Sequence, residues 1–283
     1  MTPPAWDPMP SLTLVSSVPT PSRWRLDLAT IRVLAGRDLV RFFRQRSRVV
    51  GALLQPVVFW FVLGSGFAGS FRAQGAGDLR YAQFFFPGVV TMVLLFSTIF
   101  ATISVIEDRR EGFLQCVLAG PGSRLAVVVG KSLGSTLIAL IQAALFMLLA
   151  PLAKIDLAAV NWPLLAAVML LSAMALTGVG FAMAWWINSS TGYHAVMSVV
   201  LIPAWVLSGA MFPISSAGTL VSTLMRFNPM RFAVEGVRRA LFGGSALPAL
   251  GVPGGSAARE LVALAIFAAV ALGISAWRVQ RRE

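Results

Sequence analysis

Five consecutive residues, Glu107, Asp108, Arg109, Arg110 and Glu111, form the densest run of ionisable side chains in this 283-residue chain. Carboxylates this close together could do acid–base work or hold Mg²⁺, but two arginines interrupt the three acids, which makes a poor site for a hard cation. Gly130-Lys131-Ser132 resembles the end of a phosphate-binding loop. That motif also needs a glycine five positions before its second glycine, where Leu125 stands, so no nucleotide site is read there. His194, the single histidine, has no Cys or carboxylate at helical spacing, which argues against a metal site. Cys116 is the single cysteine, which excludes an intrachain disulfide and a paired-Cys metal motif. The chemistry-capable residues thus supply no catalytic set, metal site or cofactor site, and the run from Glu107 to Glu111 reads as a polar docking knob.

The elements that carry this knob are apolar. The chain is 57% hydrophobic and 12% charged with mean hydropathy +0.80, whereas soluble domains carry about 25% charged residues. The expected fold is an all-α integral membrane protein with six transmembrane helices: Val49 to Gly69, Phe84 to Ile106, Val127 to Ala153, Trp162 to Ile187, Tyr193 to Phe212 and Ala258 to Trp277. Residues 1–21 hold six prolines and no Lys or Arg, and read as a disordered cytoplasmic tail. In residues 22–48 eight arginines interleave with Leu28, Ile31, Leu39, Phe42 and Phe43 near a 3.6-residue period, which reads as an amphipathic interfacial helix. The six-span domain is residues 49–283. With the N-terminus inside, fifteen Lys and Arg face inward and eight outward. Both termini and the 107–124 loop are therefore expected in the cytoplasm of a cell inner (plasma) membrane. The net charge of +12 is divided into clusters between spans, which fits anionic lipid headgroups and not nucleic acid.

Five of the eight expected outer charges lie between Pro213 and Arg259, four of them in segment 213–245, which is expected to be re-entrant. Two short helices, Thr219 to Arg226 and Met230 to Phe242, are expected to hinge at Asn228-Pro229 and to dip into the outer leaflet or lie on it, with Glu235 and Arg238 on the second. Inside the spans ionisable residues are almost absent, and Lys131 is expected to snorkel from a helix end. That disfavours an ion-coupled carrier and suits an apolar or amphipathic cargo. Gln55, Phe59, Trp60, Met197, Trp205 and Met211 are candidate path residues, with Pro56 and Pro203 as kinks. Gly130 and Gly134 form a GxxxG pair that permits close helix approach. The knob is expected to be one helix, roughly Glu107 to Leu118, presenting mixed charge and a ridge of Phe113, Leu114 and Val117 to a groove on a soluble partner.

These features together resemble the permease subunits of ABC-2 type exporters, which serve drug, lipid and polysaccharide export. That family has a Glu-x-Gly-Thr-Leu helix after the second span and a proline before the third. Glu111, Gly112, Leu114 and Pro121 match, Phe113 replaces the threonine, and Gly130-Lys131 resembles the family's glycine-lysine. Asn228, Pro229 and Arg238 match its re-entrant segment. The resemblance implies a half-transporter: two copies of the chain form the path, and two soluble ABC ATPase subunits bind ATP and Mg²⁺ while this chain binds no cofactor. The knob, Glu107 to Leu114 with Pro121, would be the coupling helix. A polysaccharide or glycolipid permease of the same family, an intramembrane lipid-modifying enzyme and a stand-alone secondary carrier are the alternatives.

Overall fold

The computed structural model describes residues 22–67, 80–214, 217–248, 250, 252, 254 and 256–281. The tail expected over 1–21 lies outside them. The helices are α1 (Arg23–Arg44), α2 (Arg46–Gly66), α3 (Tyr81–Arg110), α4 (Phe113–Leu118), α5 (Arg124–Met147), α6 (Trp162–Trp186), α7 (Ser190–Trp205), α8 (Thr219–Phe227), α9 (Met230–Ala246) and α10 (Ala258–Arg281). A π turn, Val206–Ala210, continues α7. Among the described residues there is no strand, and six helices are long and apolar enough to cross a membrane: α2, α3, α5, α6, α7 with its π turn, and α10. The protein is an all-α, multi-pass membrane protein.

The chain punctuates these helices with side chains that satisfy free N–H groups. Ser123 Oγ accepts from Ala126 N at 3.1 Å to open α5, and Asn161 Oδ1 accepts from Leu164 N at 3.1 Å to open α6. Helix α3 is apolar around most of its circumference, as befits a helix enclosed on all sides. It is the axis of the bundle, contacted by α2, α5, α6, α7 and α9. Its aromatic trio Phe84, Phe85 and Phe86 is fully buried.

Two boundaries differ from expectation. The third span stops at Met147, and the chain turns through Leu148–Lys154. The single docking helix expected over Glu107 to Leu118 is two pieces. Gly112 adopts φ +76°, a left-handed conformation that a side chain resists, and it separates the end of α3 from α4.

The GxxxG pair packs α5 against α1. A Cβ at Gly130 would lie 3.0 Å from the Ile31 Cα, and one at Gly134 would lie 3.3 Å from the Ala35 Cα. At the other end of the bundle α8 and α9 meet at Asn228-Pro229. Pro229 and Met230 border a small cavity with Thr91, Ser172 and Leu264. Thr91 and Ser172 each lie ten residues into their helices.

Gly130→Leu is expected to force α1 from α5 and to cost about 1–3 kcal/mol through overpacking, read as a lower melting temperature in detergent. Gly36→Ala on the same helix pair, where an added Cβ meets nothing within 4 Å, is expected to leave the melt unchanged or slightly raised.

Candidate functional site

Helix α1 lies along α5 and crosses the last turns of α3, so three segments far apart in sequence bring their charges together. Asp108, fully buried, is the centre. Arg37 grips it with both guanidinium nitrogens, at 2.9 and 2.8 Å, Arg41 Nη1 donates to it at 2.7 Å, and Lys131 Nζ donates to its other edge. Lys131, also fully buried, donates to Asp38 at 3.0 Å and to Ser104 Oγ at 3.4 Å. Arg41 continues to Glu107 at 3.1 Å and Glu111 at 3.4 Å, and Arg48 of α2 pairs with Glu107. Arg37, Arg41, Arg48 and Lys131 thus face Asp38, Glu107, Asp108 and Glu111, four cations against four anions.

Burying such charges costs several kcal/mol per ion unless geometry and hydrogen bonding compensate. Bidentate arginine binding at Asp108 supplies that compensation. The balance is uneven at Asp38. Burial pushes its carboxyl above the usual carboxylate range, Lys131 opposes the shift, and Oδ2 has no hydrogen-bond partner. Arg37, hydrogen-bonded to Asp108, is held more firmly protonated than usual.

The knob is therefore built differently from its sequence reading. Asp108 does not face outward, because its carboxylate has three cationic partners inside the protein. Glu107 is half-buried and paired. Arg109 turns to the end of α6, donating to Ile187 O at 2.7 Å and Ala184 O at 3.2 Å with its guanidinium 5.6 Å from the Trp185 ring, a cation at a helix C-terminus. The expected apolar ridge faces inward too. Leu114 is buried in the core, Phe113 and Val117 pack against it, and Phe113 carries the Arg37 guanidinium 3.7 Å from its ring centre. What α3 and α4 expose is Arg110, Glu111, Gln115, Cys116, Ala119, Gly120 and Pro121. Gly112 is half-buried at the break. The turn after α4 is moored as well: Ser123 N donates to Asp27 at 2.7 Å, and Arg124 donates to Gln280 O at 3.4 Å.

Lys131 is a second correction. It does not snorkel, because Asp38 and Asp108 give it partners in the interior. The available signal was Asp38 itself, an acid among the arginines of an amphipathic helix, matched by one lysine in an otherwise apolar span.

The six candidate path residues do not share a wall. Gln55 and Phe59 lie on an exposed face of α2. Trp60 is turned inward, donating to Ala82 O at 3.0 Å and standing edge-on to Phe86. Met197 and Trp205 are buried, with Trp205 Nε1 donating to Gly88 O at 2.8 Å, and Met211 is half-buried. Apolar side chains inside the bundle gain more from packing on α3 than from lining a passage. The hairpin residues do converge: Asn228 donates to Ala204 O, Pro229 leads into α9, Arg231 pairs with Glu235 at 2.8 Å, and Arg238 donates to Gly209 O and Leu250 O. Among the described residues no three His, Cys, Asp or Glu are grouped to hold a metal ion.

Six membrane-length helices among the described residues, joined at one end by buried charge with a small exposed knob beyond, agree with what comparison with known sequences shows. The sequence profile of the ABC-2 type transporter matches residues 29–242, and the chain belongs to that family. It is 28% identical to nodulation protein J of Sinorhizobium fredii over 244 residues, 83% of this chain and 87% of the relative. It is 23% identical to the transport permease ycf38 of Cyanophora paradoxa over 209 residues, 73% and 72% of the two chains. The Escherichia coli multidrug ABC transporter permease YbhR is 23% identical over 155 residues, 54% of this chain and 42% of that one.

Lys131→Met leaves Asp108 with two guanidiniums but leaves Asp38 only the longer contact with Arg37 Nη1, at 3.5 Å, and is expected to destabilise the protein by roughly 3–5 kcal/mol. Adding Asp38→Asn restores charge balance and is expected to return most of that loss. A double-mutant cycle of melting in detergent measures it, and additive losses would contradict the pairing.

Proposed function

We propose that this chain is the membrane-spanning half of an ATP-driven exporter, with two copies forming a path for amphipathic or hydrophobic, drug-like or lipid-like molecules. Two soluble ABC ATPase subunits dock at the charged end and supply ATP and Mg²⁺. The observation that carries this reading is the α4 tip, exposed beyond a cluster that ties it to α1, α3 and α5. Membership of the ABC-2 type family and the multidrug permease name borne by YbhR support it.

The contacts support this division of labour. A partner pressing on Gln115, Cys116 and Ala119–Pro121 pushes against α4. Leu114 in the core and Phe113 under Arg37 deliver that push to α1 and α3 instead of letting α4 flex alone. The charged end is cytoplasmic in this reading, which puts both termini on the cytoplasmic side of the plasma membrane. Arg23, Arg25, Arg32 and Arg44 stay exposed on α1, where they meet anionic headgroups. Val50, Leu54, Val58, Phe59, Phe61 and Val62 form an exposed apolar face on α2 around Gln55. That face borders the second copy and the cargo.

Cys116 is exposed and is the single cysteine, so the native chain can be labelled there alone. A benzophenone attached to Cys116 in membranes is expected to photocrosslink to a soluble ATPase, and the chain purified alone is expected to hydrolyse no ATP. Cross-linking only to lipid, or transport in liposomes driven by an ion gradient without ATP, would contradict the reading. Glu111→Arg with Gly112→Pro, which forbids the φ of +76° at residue 112, is expected to leave ATP hydrolysis in the complex but abolish its coupling to export.

A further inference from the structure

The end of α7 farthest from the charged cluster is held from outside by other helices. Pro203 has no N–H and so leaves a carbonyl one turn back without its helical donor. Beyond it the helix widens into the π turn, where Gly209 takes φ +83°, a conformation open to glycine at no steric cost. Three carbonyls here receive side-chain donors from other elements. Asn228 of the hairpin hinge donates to Ala204 O, Arg238 Nη2 of α9 to Gly209 O at 2.7 Å, and Tyr81 of α3 to Met211 O at 3.1 Å. A fourth bond runs the other way, from Trp205 Nε1 to Gly88 O of α3 at 2.8 Å.

Arg238 is the costly member. It is 2% exposed, its other nitrogen donates to Leu250 O at 3.0 Å, and its guanidinium stands 4.2 Å from the Phe84 ring centre. Glu235, one helical turn away, is paired with Arg231 at 2.8 Å. The carbonyls of Gly209 and Leu250, the Phe84 ring and the nearby charge of Glu235 together hold the charge of Arg238.

We infer that Arg238, Asn228 and Tyr81 clamp the end of α7 in its π form, and that releasing this clamp opens the hairpin end of the path during each transport cycle. Arg238 is a positioning residue, acting through the backbone of α7. The link to the far end is α3. Tyr81, Phe84 and Gly88 at its start touch the clamp, while Asp108 near its end anchors the charged cluster. Helix α3, 30 residues long with Pro87 inside it beside the clamp, spans about 45 Å and so connects the cluster to the clamp. The π turn is the element that gives: once Asn228, Arg238 and Tyr81 release the three carbonyls, the turn loses its external support and its own N–H···O bonds open more often.

This rests on the exporter reading, and the test separates the two. The complex of this chain with its co-purifying ATPase is placed in nanodiscs of phosphatidylethanolamine and phosphatidylglycerol, and amide exchange over residues 204–212 is followed by mass spectrometry. Without nucleotide the segment is expected to be protected. Trapping with ATP and vanadate is expected to raise its exchange about ten- to a hundredfold, the loss of one or more charge-assisted bonds, while residues 190–202 stay unchanged. Arg238→Gln is expected to show the faster exchange already without nucleotide, and Arg238→Lys to lie between. Asn228→Ala, which leaves the buried charge alone, is expected to act in the same direction should Arg238→Gln not fold. Vanadate trapping that leaves the segment protected, or wild-type protection in these variants, overturns the clamp while the exporter reading stands. A complex that hydrolyses no ATP overturns both.

Discussion

A carboxylate with no access to water must be neutralised from within, and Asp108 sets that requirement for the whole charged end of the bundle. Its partners come from two other helices: Arg37 and Arg41 on α1, and Lys131 on α5. No local segment can assemble them, so α1 has to lie across α3 and along α5 before the charge is tolerable. The GxxxG face of α5 makes this approach sterically possible, because Gly130 and Gly134 let the α1 backbone come near enough for Lys131 to reach Asp38 as well as Asp108. Packing and electrostatics thus specify the same helix arrangement, and each would be defective without the other.

The knob inherits its stiffness from that arrangement. A charge-rich loop between two spans would ordinarily be solvated and compliant, and could not pass on a push. Here Arg37 is shared between Asp108 and the Phe113 ring, Leu114 sits in the core, and the following turn is tied to Asp27. Compliance is confined to the exposed tip. At the opposite end α3 meets α7 through Phe85 and Gly88, both against Trp205, so one helix touches both the charged cluster and the π turn. Both places also hold buried charge, Asp108 and Lys131 at one end and Arg238 at the other.

The sequence was informative where structure is decided locally. Apolar length set the six spans, and Asn228-Pro229 set the hinge between α8 and α9. It was silent where direction is decided by distant partners. Nothing in EDRRE says that Asp108 points inward and Glu111 outward, because the choice depends on Arg37, 71 residues away. Lys131 read as a snorkelling lysine for the same reason, since its partner Asp38 lies 93 residues away. Periodicity identified Phe113, Leu114 and Val117 as one apolar face without saying whether a partner or the chain's own core would cover it. The aromatic residues chosen for a passage, Trp60 and Trp205, went to the interior because their indole N–H groups find backbone carbonyls there.

The central claim is that α1, α3, α4 and α5 move as one body under the ATPase. A pulsed electron-resonance measurement between spin labels at Cys116 on α4 and at a Val33→Cys position on the exposed face of α1 tests it most directly, in the complex reconstituted with its ATPase. The account predicts one narrow distance distribution that is the same without nucleotide and in the ATP–vanadate state, broadening only when Lys131→Met breaks the cluster. A distribution that shifts or splits in the unmutated complex on nucleotide trapping would show that α4 moves independently of α1, and would contradict it.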